Sequence, residues 1–176
     1  MRWVVFLRAV NVGKANRCQP AVIASQLSRF GVINIGAVGT FVVHEDVSES
    51  VLRAAIAKKL PFKCEIMICP APDIIKLAAK NPFIGQPSGE KITRFVSVLA
   101  ESLPLPLPLN LPHWLPSPDG WLLKIIAIQD RFVLGVYRRE MKAIGYLGKI
   151  EKLLGMPATT RSWNTLQKIV QILSQD

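Results

Sequence analysis

The first seventy residues alternate between short apolar runs and stretches in which apolar residues recur at helical spacing. The short runs predict strands at Arg2 to Leu7, Val32 to Ala37, Thr40 to His44 and Lys63 to Cys69. The recurring positions predict one helix from Pro20 to about Phe30 and another that follows Ser48 and reaches Leu60. This order, βαββαβ, is that of a ferredoxin-like plait, in which two helices cover one face of a four-stranded antiparallel sheet.

The rest of the chain shows the same two patterns in a less regular order. Strands are predicted at Ile92 to Ala100, Trp121 to Ile128 and Arg131 to Tyr137, and helices at Pro72 to Ala79, Tyr146 to Leu154 and Thr160 to Leu173. The fold class indicated is α+β, with a ferredoxin-like plait in the N-terminal half and a second, degenerate α/β plait-like half after it. We therefore expect subdomains at residues 1–70 and 71–176.

A segment rich in leucine and proline spans residues 103–118 and alternates strictly at first. Proline excludes a helix interior or a central strand, so the pattern favours an extended polyproline II conformation. Because leucines favour burial, we interpret the segment as an ordered connector that lies over the core. A proline-rich ligand for an aromatic groove is the alternative.

Composition predicts a soluble globular protein in the cytoplasm. Half of the 176 residues are hydrophobic and 19% are charged, which suffices for a core. The first apolar run ends at Arg8 after five residues, too few for a signal peptide, and glycines or prolines interrupt the longer uncharged stretches. The three cysteines, Cys18, Cys64 and Cys69, form no C-x-x-C pair, so we expect reduced thiols, no metal site and no membrane association.

Charge is distributed unevenly along the chain. The net charge is +10, of which residues 1–44 carry +5 with five bases and no acid. Residues 45–130 carry nine bases and nine acids, and residues 131–176 carry eight bases and three acids, again +5. If both ends met on one face, that face would attract phosphate-bearing partners. A generally basic surface that aids solubility is the alternative reading.

The loop after the first strand is the first candidate site. Asn11, Gly13, Lys14 and Arg17 lie between a buried strand and a helix start, where free backbone N–H groups and basic side chains favour an anion. The loop has neither the G-x-x-x-x-G-K-[ST] nor the G-x-G-x-x-G spacing. A tight loop with a solvated lysine remains the structural alternative.

The second candidate site is the segment 158–165. Thr159 or Thr160 is predicted to cap the last helix, which would place Arg161 in a first turn that disfavours cations. A bound anion or a carboxylate elsewhere would explain Arg161, and Asn164 would lie beside it.

Catalysis has little support in the sequence. His44 and His113 lie in no recognisable motif, no serine has a nucleophile-elbow context, and no acid pair suits metal binding or acid–base chemistry. We therefore predict no catalytic residue and no cofactor, and we leave open whether the protein is an enzyme.

Two motifs carry a family resemblance. Phe6-Leu-Arg-Ala-Val-Asn-Val-Gly-Lys14 resembles the opening L-L-R-G-I-N-V-G-G, and Ala158-Thr-Thr-Arg-Ser-Trp-Asn-Thr165 the closing A-T-T-R-N-W-N-T, of the bacterial domain-of-unknown-function family 1697. The resemblance implies a cytosolic bacterial protein built from ferredoxin-like plaits, without an established activity. This chain departs from the family pattern at Ala9, Lys14, Val38, Thr40 and Ser162.

Three functional hypotheses follow. The first is binding of an anionic, phosphate-bearing ligand such as a nucleotide or nucleic acid, on a site formed by Arg8, Asn11, Lys14, Arg17 and Arg161. The second is an enzyme for a small phosphorylated or carboxylated metabolite, with a pocket formed by Asn11, Thr160, Arg161 and Asn164. The third is a homodimeric or partner-docking protein that uses the leucine-proline segment, so monomer and homodimer both stay open.

Overall fold

The computed structural model describes residues 1–175, which form two compact units. The first unit contains residues 1–79 and the chain from Thr165 onwards, and the second contains residues 80–164. The second unit is therefore an insertion in the first. The sequence patterns place the division after residue 70 and assign the last helix to the second half, whereas the contacts group residues 71–79 and most of that helix with the first unit.

The first unit contains one antiparallel sheet. Its strands are Trp3–Leu7 (β1), Val32–Ile35 (β2), Thr40–Val43 (β3) and Ile66–Pro70 (β4), in the order β2-β3-β1-β4. Its helices are Pro20–Gln26 (α1), Glu49–Lys59 (α2) and Ala71–Ala79 (α3), and a 3₁₀ turn, Ser28–Phe30, follows α1. Every strand and helix predicted before residue 80 is present, with ends that differ by a few residues.

Local chemistry explains where these helices begin. Pro20 occupies the first turn of α1, where its missing N–H costs no hydrogen bond and its φ already suits a helix. The Ser48 hydroxyl accepts from the Val51 N–H at 3.4 Å and caps α2. Lys58 and Lys59 lie in the last turn of α2, where the helix dipole favours positive charge.

Strand β1 is buried on both faces of the first sheet. Val5 and Leu7 point to the face that packs against α1 and α2, whose buried residues include Ile23 and Leu52. The alternate residue Phe6 is also fully buried, so the opposite face is covered as well. This explains why β1 is an unbroken apolar run rather than an alternating pattern.

The second unit contains a second antiparallel sheet. Its strands are Ile92–Leu99 (β5), His113–Leu115 (β6), Leu123–Gln129 (β7), Phe132–Arg138 (β8) and Ala158–Ser162 (β9), in the order β6-β7-β8-β5-β9. Helix Met141–Leu154 (α4) packs on one face and ends at Gly155, whose left-handed φ of 72° suits glycine. Helix Trp163–Leu173 (α5) then runs from this unit into the first.

The predicted start of the last helix is wrong. Residues 158–162 form β9, which pairs with β5 so that Thr160 lies opposite Ser97. Their hydroxyl oxygens are 2.5 Å apart. The prediction failed because threonine suits both a helix cap and a strand, and here the pairing with β5 decides the conformation.

The leucine-proline segment is largely ordered against the second core. Leu103, Leu109 and Leu111 pack on the residues between α4 and the sheet, whereas Leu105 is exposed. The segment also contains β6, which the patterns missed. Pro112 and Pro116 flank β6 at the edge of the sheet, where prolines do not interrupt a ladder.

The predicted α+β class is confirmed, since residues 1–175 contain two antiparallel sheets and five α-helices. Over the same residues, no helix combines the length and the apolar composition that crossing a membrane requires.

Candidate anion-binding site

Residues 8–18 connect β1 to α1 and contain most of the first predicted site. Asn11 has a φ of 56°, a left-handed conformation that asparagine tolerates better than most residues. Its side-chain amide donates to the carbonyl oxygens of Cys18 (3.0 Å) and Ala37 (2.6 Å), and its Oδ1 accepts from the Cys18 N–H (3.0 Å). Asn11 therefore closes the loop and ties it to the β2–β3 turn, and its amide hydrogens are already used.

An open cleft of about 500 Å³ lies beside this loop, and we call it the loop cleft. Its lining consists of Asn11, Arg17, Cys18, Gln19, Ala37 and Val38. Arg17 is exposed and is the only charged side chain among the described residues that line it. The loop cleft thus offers an anion one guanidinium.

The other predicted residues of this loop lie outside the loop cleft. Gly13, with φ 63°, and Lys14 are exposed at the tip of the loop. Arg8 is half-buried just after β1, and its backbone N–H donates to the Glu65 carbonyl at 3.0 Å. Of the five residues predicted in this part of the chain, only Asn11 and Arg17 therefore share a cavity.

The three cysteines are free thiols. Burial raises the pKa of the Cys18 thiol, and burial is also the largest of the causes that raise the pKa of Cys64. A raised pKa keeps both thiols protonated at neutral pH, and a protonated thiol is a poor nucleophile. Cys18 therefore contributes an uncharged wall to the loop cleft.

Thr160 and Arg161 of the second predicted site lie on β9 instead of on a helix, whereas Asn164 lies in the first turn of α5. Arg161 is 7% exposed, and its Nη1 donates to the Thr159 hydroxyl (2.8 Å) and the Thr160 carbonyl (3.0 Å). Burial lowers the pKa of Arg161 to about 10 because the charged form is desolvated. The guanidinium is still protonated at neutral pH, but it is held inside the protein where a dissolved ligand has little access.

A second cleft, of about 460 Å³, lies at one end of the second sheet, and we call it the arginine cleft. Its lining consists of Ser88, Gly89, Ile92, Thr93, Arg94, Arg139, Ser162 and Asn164. Two guanidinium groups, three hydroxyls and one amide thus surround the same space. Among the described residues that line it, none is a carboxylate.

The pairing of β5 with β8 brings the two arginines together. Arg94 lies opposite Val136 near the start of β5, and Arg139 directly follows β8. The Arg139 backbone N–H donates to the Lys91 carbonyl at 2.9 Å, and its Nε donates to the Thr93 hydroxyl at 3.1 Å. Both contacts fix the direction in which Arg139 leaves the sheet.

Aromatic packing holds the other arginine. The Arg94 guanidinium lies 5.5 Å from the centre of the Phe83 ring. The Phe83 ring packs edge-on against the Trp163 ring, with 5.0 Å between the two ring centres. Over residues 1–175, Arg94 makes no ion pair, so its positive charge is not neutralised by a neighbouring acid. A partly buried cation without an acid favours an anionic ligand.

The second unit therefore has a better candidate site than either predicted one. Of the predicted residues, only Asn164 lines the arginine cleft, while Thr160 and Arg161 take part in the packing of β9. Arg94 and Arg139 were missed. The signal for Arg94 was that it is the only charged residue in β5. The convergence of Arg8 with Arg161, which lie in different units, stays a prediction.

In the described part of the chain, no three histidine, cysteine, aspartate or glutamate side chains are placed to hold a metal ion. Of the described side chains that line the arginine cleft, none normally accepts a proton at neutral pH.

The fold and the clefts define a small basic α+β protein with two antiparallel sheets and a cationic cleft in its inserted unit. The chain belongs to the family described as "Protein of unknown function (DUF1697)", whose profile matches residues 1–107. It is similar in structure to the conserved bacterial protein SP0830 from Streptococcus pneumoniae, with a TM-score of 0.59 and 16% sequence identity over 98% of each chain. That likeness concerns the fold alone. No curated protein matches the chain.

Proposed function

We propose that this protein binds a phosphate-bearing ligand in the arginine cleft. The observation that carries the proposal is the pair Arg94 and Arg139, which line one cleft together with hydroxyl groups and without a carboxylate. Guanidinium groups match phosphate oxygens with parallel N–H donors, and such charge-assisted hydrogen bonds are about twice as strong as neutral ones.

The remaining lining of the cleft suits the same ligand. Ser88, Thr93 and Asn164 carry groups that donate hydrogen bonds, and Gly89 has a φ of 119° that glycine adopts readily. A backbone without a side chain lets a phosphate approach closely. The cleft volume of about 460 Å³ is in the range of small-molecule sites.

A small organic phosphate is favoured over a single-stranded nucleic acid. Proteins that bind single strands stack bases on exposed aromatic rings. Among the described residues, the large hydrophobic side chains that are strongly exposed include aliphatic residues and methionines but no aromatic ring. The inserted unit carries eleven bases and six acids, a net charge of +5, which attracts either kind of ligand from a distance.

The test is a calorimetric titration with ribose 5-phosphate, with uncharged ribose as the ligand control. We expect ribose 5-phosphate to bind and ribose not to bind. Arg139→Gln should weaken binding about tenfold, whereas Lys152→Gln, which removes the same charge from an exposed site on α4, should change it less than about twofold.

Two results would contradict the proposal. One is the absence of binding by ribose 5-phosphate at low salt. The other is an equal effect of the two variants, which would mean that net charge rather than the cleft attracts the ligand. A labelled oligonucleotide that binds tightly and ignores Arg139→Gln would place the anion site elsewhere.

An enzyme acting on a small phosphorylated metabolite is the second candidate, because the arginine cleft has the size of a metabolite site. Such an enzyme needs a proton acceptor within reach of the reacting atom. The described residues that line the cleft include serines and a threonine but no histidine, carboxylate or cysteine. The lining of the arginine cleft therefore supports binding better than acid–base chemistry.

A homodimeric or docking role for the leucine-proline segment is less supported. Leu103, Leu109 and Leu111 pack against the protein's own core and do not offer a continuous apolar surface to a partner. Sedimentation of the native chain at increasing concentration tests self-association, and a monomer throughout would exclude the homodimer.

We also infer that the first unit is a ferredoxin-like plait. The element order βαββαβ and the strand order β2-β3-β1-β4 support this assignment, as do the two connecting helices that share a core on one face. An experimental structure in which α1 and α2 lay on opposite faces of the sheet would refute it.

A further inference from the structure

We infer that the ligand is a nucleoside monophosphate whose base carries an amino group. This inference rests on the proposed function and extends it, since it assigns the part of the ligand beyond the phosphate. In this arrangement the phosphate binds in the arginine cleft, and the base binds in a neighbouring cleft of different chemistry.

The neighbouring cleft has a volume of about 480 Å³, and we call it the α4 cleft. Its lining consists of Thr93, Tyr137, Arg139, Glu140, Met141 and Ile144. Thr93 and Arg139 line both clefts, so the two cavities share a wall. A ligand that crosses Thr93 and Arg139 therefore reaches both.

The α4 cleft offers an apolar surface at the start of α4. Met141 is 86% exposed and Ile144 is 56% exposed, and Tyr137 adds part of an aromatic ring. Exposed apolar side chains of this size cost free energy in water unless something covers them. A flat base covers such a surface, and the methionine sulfur makes favourable contacts with aromatic rings.

Glu140 distinguishes a base from other apolar groups. It precedes α4, its side chain makes no capping hydrogen bond, and it faces the same cleft as Met141 and Ile144. A carboxylate accepts hydrogen bonds and repels a second anionic group. Glu140 is exposed, and an exocyclic amino group of adenine, cytosine or guanine would donate a hydrogen bond to its carboxylate.

Glu140 also argues against a ligand that carries an acyl chain. A hydrocarbon tail in the α4 cleft would cover Glu140 without offering it a hydrogen bond, and burying an unpaired carboxylate is costly. A bisphosphate would bring its second phosphate towards Glu140. The chemistry of the two clefts thus fits a molecule with one anionic end and one apolar, N–H-bearing end.

The wall between the clefts suits the sugar. The Thr93 hydroxyl already accepts from Arg139 Nε, so its own O–H is oriented to donate to a neighbouring oxygen. A ribose placed across this wall would meet one hydroxyl donor and the edge of one guanidinium.

Calorimetric titration with AMP, CMP, UMP and ribose 5-phosphate tests the inference. We expect AMP and CMP to bind at least about tenfold more tightly than ribose 5-phosphate, because only they fill the α4 cleft. UMP, which lacks the exocyclic amino group, should bind less tightly than CMP. Glu140→Gln should bring the CMP and UMP affinities within about twofold of each other, since the amide both donates and accepts.

A matched pair of variants locates the base. Ile144→Ser should weaken AMP binding about fivefold and leave ribose 5-phosphate unchanged. Ile84→Ser is the control, because Ile84 is 73% exposed in the same unit and lines neither cleft. Both isoleucines are exposed, so both variants should fold, which a thermal melt verifies.

The outcomes separate this inference from the proposed function. If ribose 5-phosphate binds as tightly as AMP and CMP, the phosphate site stands and the base site is refuted. Equal effects of Ile144→Ser and Ile84→Ser would refute it too. If none of the phosphate compounds binds, both the proposed function and this inference are refuted.

Discussion

Phe95 and Gly135 lie opposite each other on β5 and β8, and the Phe95 ring occupies the space that a side chain at position 135 would need. A Cβ atom built at Gly135 would stand 2.5 Å from the Phe95 Cζ and 2.5 Å from the Lys124 carbonyl oxygen. Position 135 of β8 thus requires glycine because there is no room for a side chain, and not because of the backbone conformation.

Gly135→Ala is therefore expected to destabilise the protein. A methyl group forced against a buried ring and a backbone oxygen should lower the free energy of unfolding by about 3 kcal/mol. Chemical denaturation followed by tryptophan fluorescence measures the change. A variant as stable as the native chain would show that the ring does not occupy that space.

Gly148→Ala is the comparison variant, and we expect it to change stability in the opposite direction. Gly148 lies within α4, and nothing stands within 4 Å of a Cβ built there. Alanine has the higher helix propensity, so the free energy of unfolding should rise by about 0.5–1 kcal/mol. The same denaturation experiment measures both substitutions, and their opposite signs are the prediction.

Asn11→Ala should loosen the loop after β1. Its side chain makes three hydrogen bonds that connect Cys18 and Ala37, and their loss should cost about 2–3 kcal/mol. Asn16→Ala is the control, because Asn16 has a similar φ of 51° and makes a side-chain hydrogen bond to the Ala9 carbonyl. It should cost about 1 kcal/mol.

Hydrogen exchange gives a second measurement for Asn11. The Cys18 amide donates to Asn11 Oδ1 and should lose its protection in Asn11→Ala but not in Asn16→Ala. If both variants changed the Cys18 amide equally, the backbone conformation rather than the side-chain hydrogen bonds would hold the loop.

Arg161 gives a prediction about pH. Burial lowers its pKa in the folded protein to about 10, below its ordinary value, so the folded state binds fewer protons than the unfolded state above about pH 10. The contribution of Arg161 to the free energy of unfolding therefore rises with pH only above about pH 10, and it is constant near neutrality. Lysine has a lower ordinary pKa of about 10.4. A lysine buried at the same position would therefore make the free energy of unfolding rise with pH over a lower pH range.

Arg161→Lys should consequently become more stable relative to the native chain as the pH rises from neutral to roughly pH 10, by about 2 kcal/mol. Denaturation of both proteins across this range measures the difference, in which the contributions of all other groups cancel. A constant difference would mean that position 161 is hydrated.

The sequence predicted the first unit well because its elements depend on local patterns. Helix starts such as Pro20 and the Ser48 cap are decided within one turn of chain, and the apolar run of β1 is independent of its neighbours. The helix ending at Gly155 was found for the same reason. The ligand-binding roles of the loop residues stay predictions, although Asn11 already uses its amide within the loop.

The second unit was harder because its arrangement depends on distant pairs. β9 exists through pairing with β5, some sixty residues earlier, and no local pattern around Thr160 distinguishes that strand from a capped helix. The arginine cleft likewise joins Arg94 with Arg139 only because β5 pairs with β8. Counting charge by segment placed Arg94 in a neutral region and gave no indication that it lines a cleft.

The nesting of one unit within the other has a consequence for synthesis on the ribosome. Residues 80–164 are contiguous, so the second unit is complete as soon as its last residue leaves the exit tunnel. The first unit begins earlier but needs the chain from Thr165 onwards, and it must wait for its final helix. Of the two units, the one whose translation begins earlier is therefore finished later.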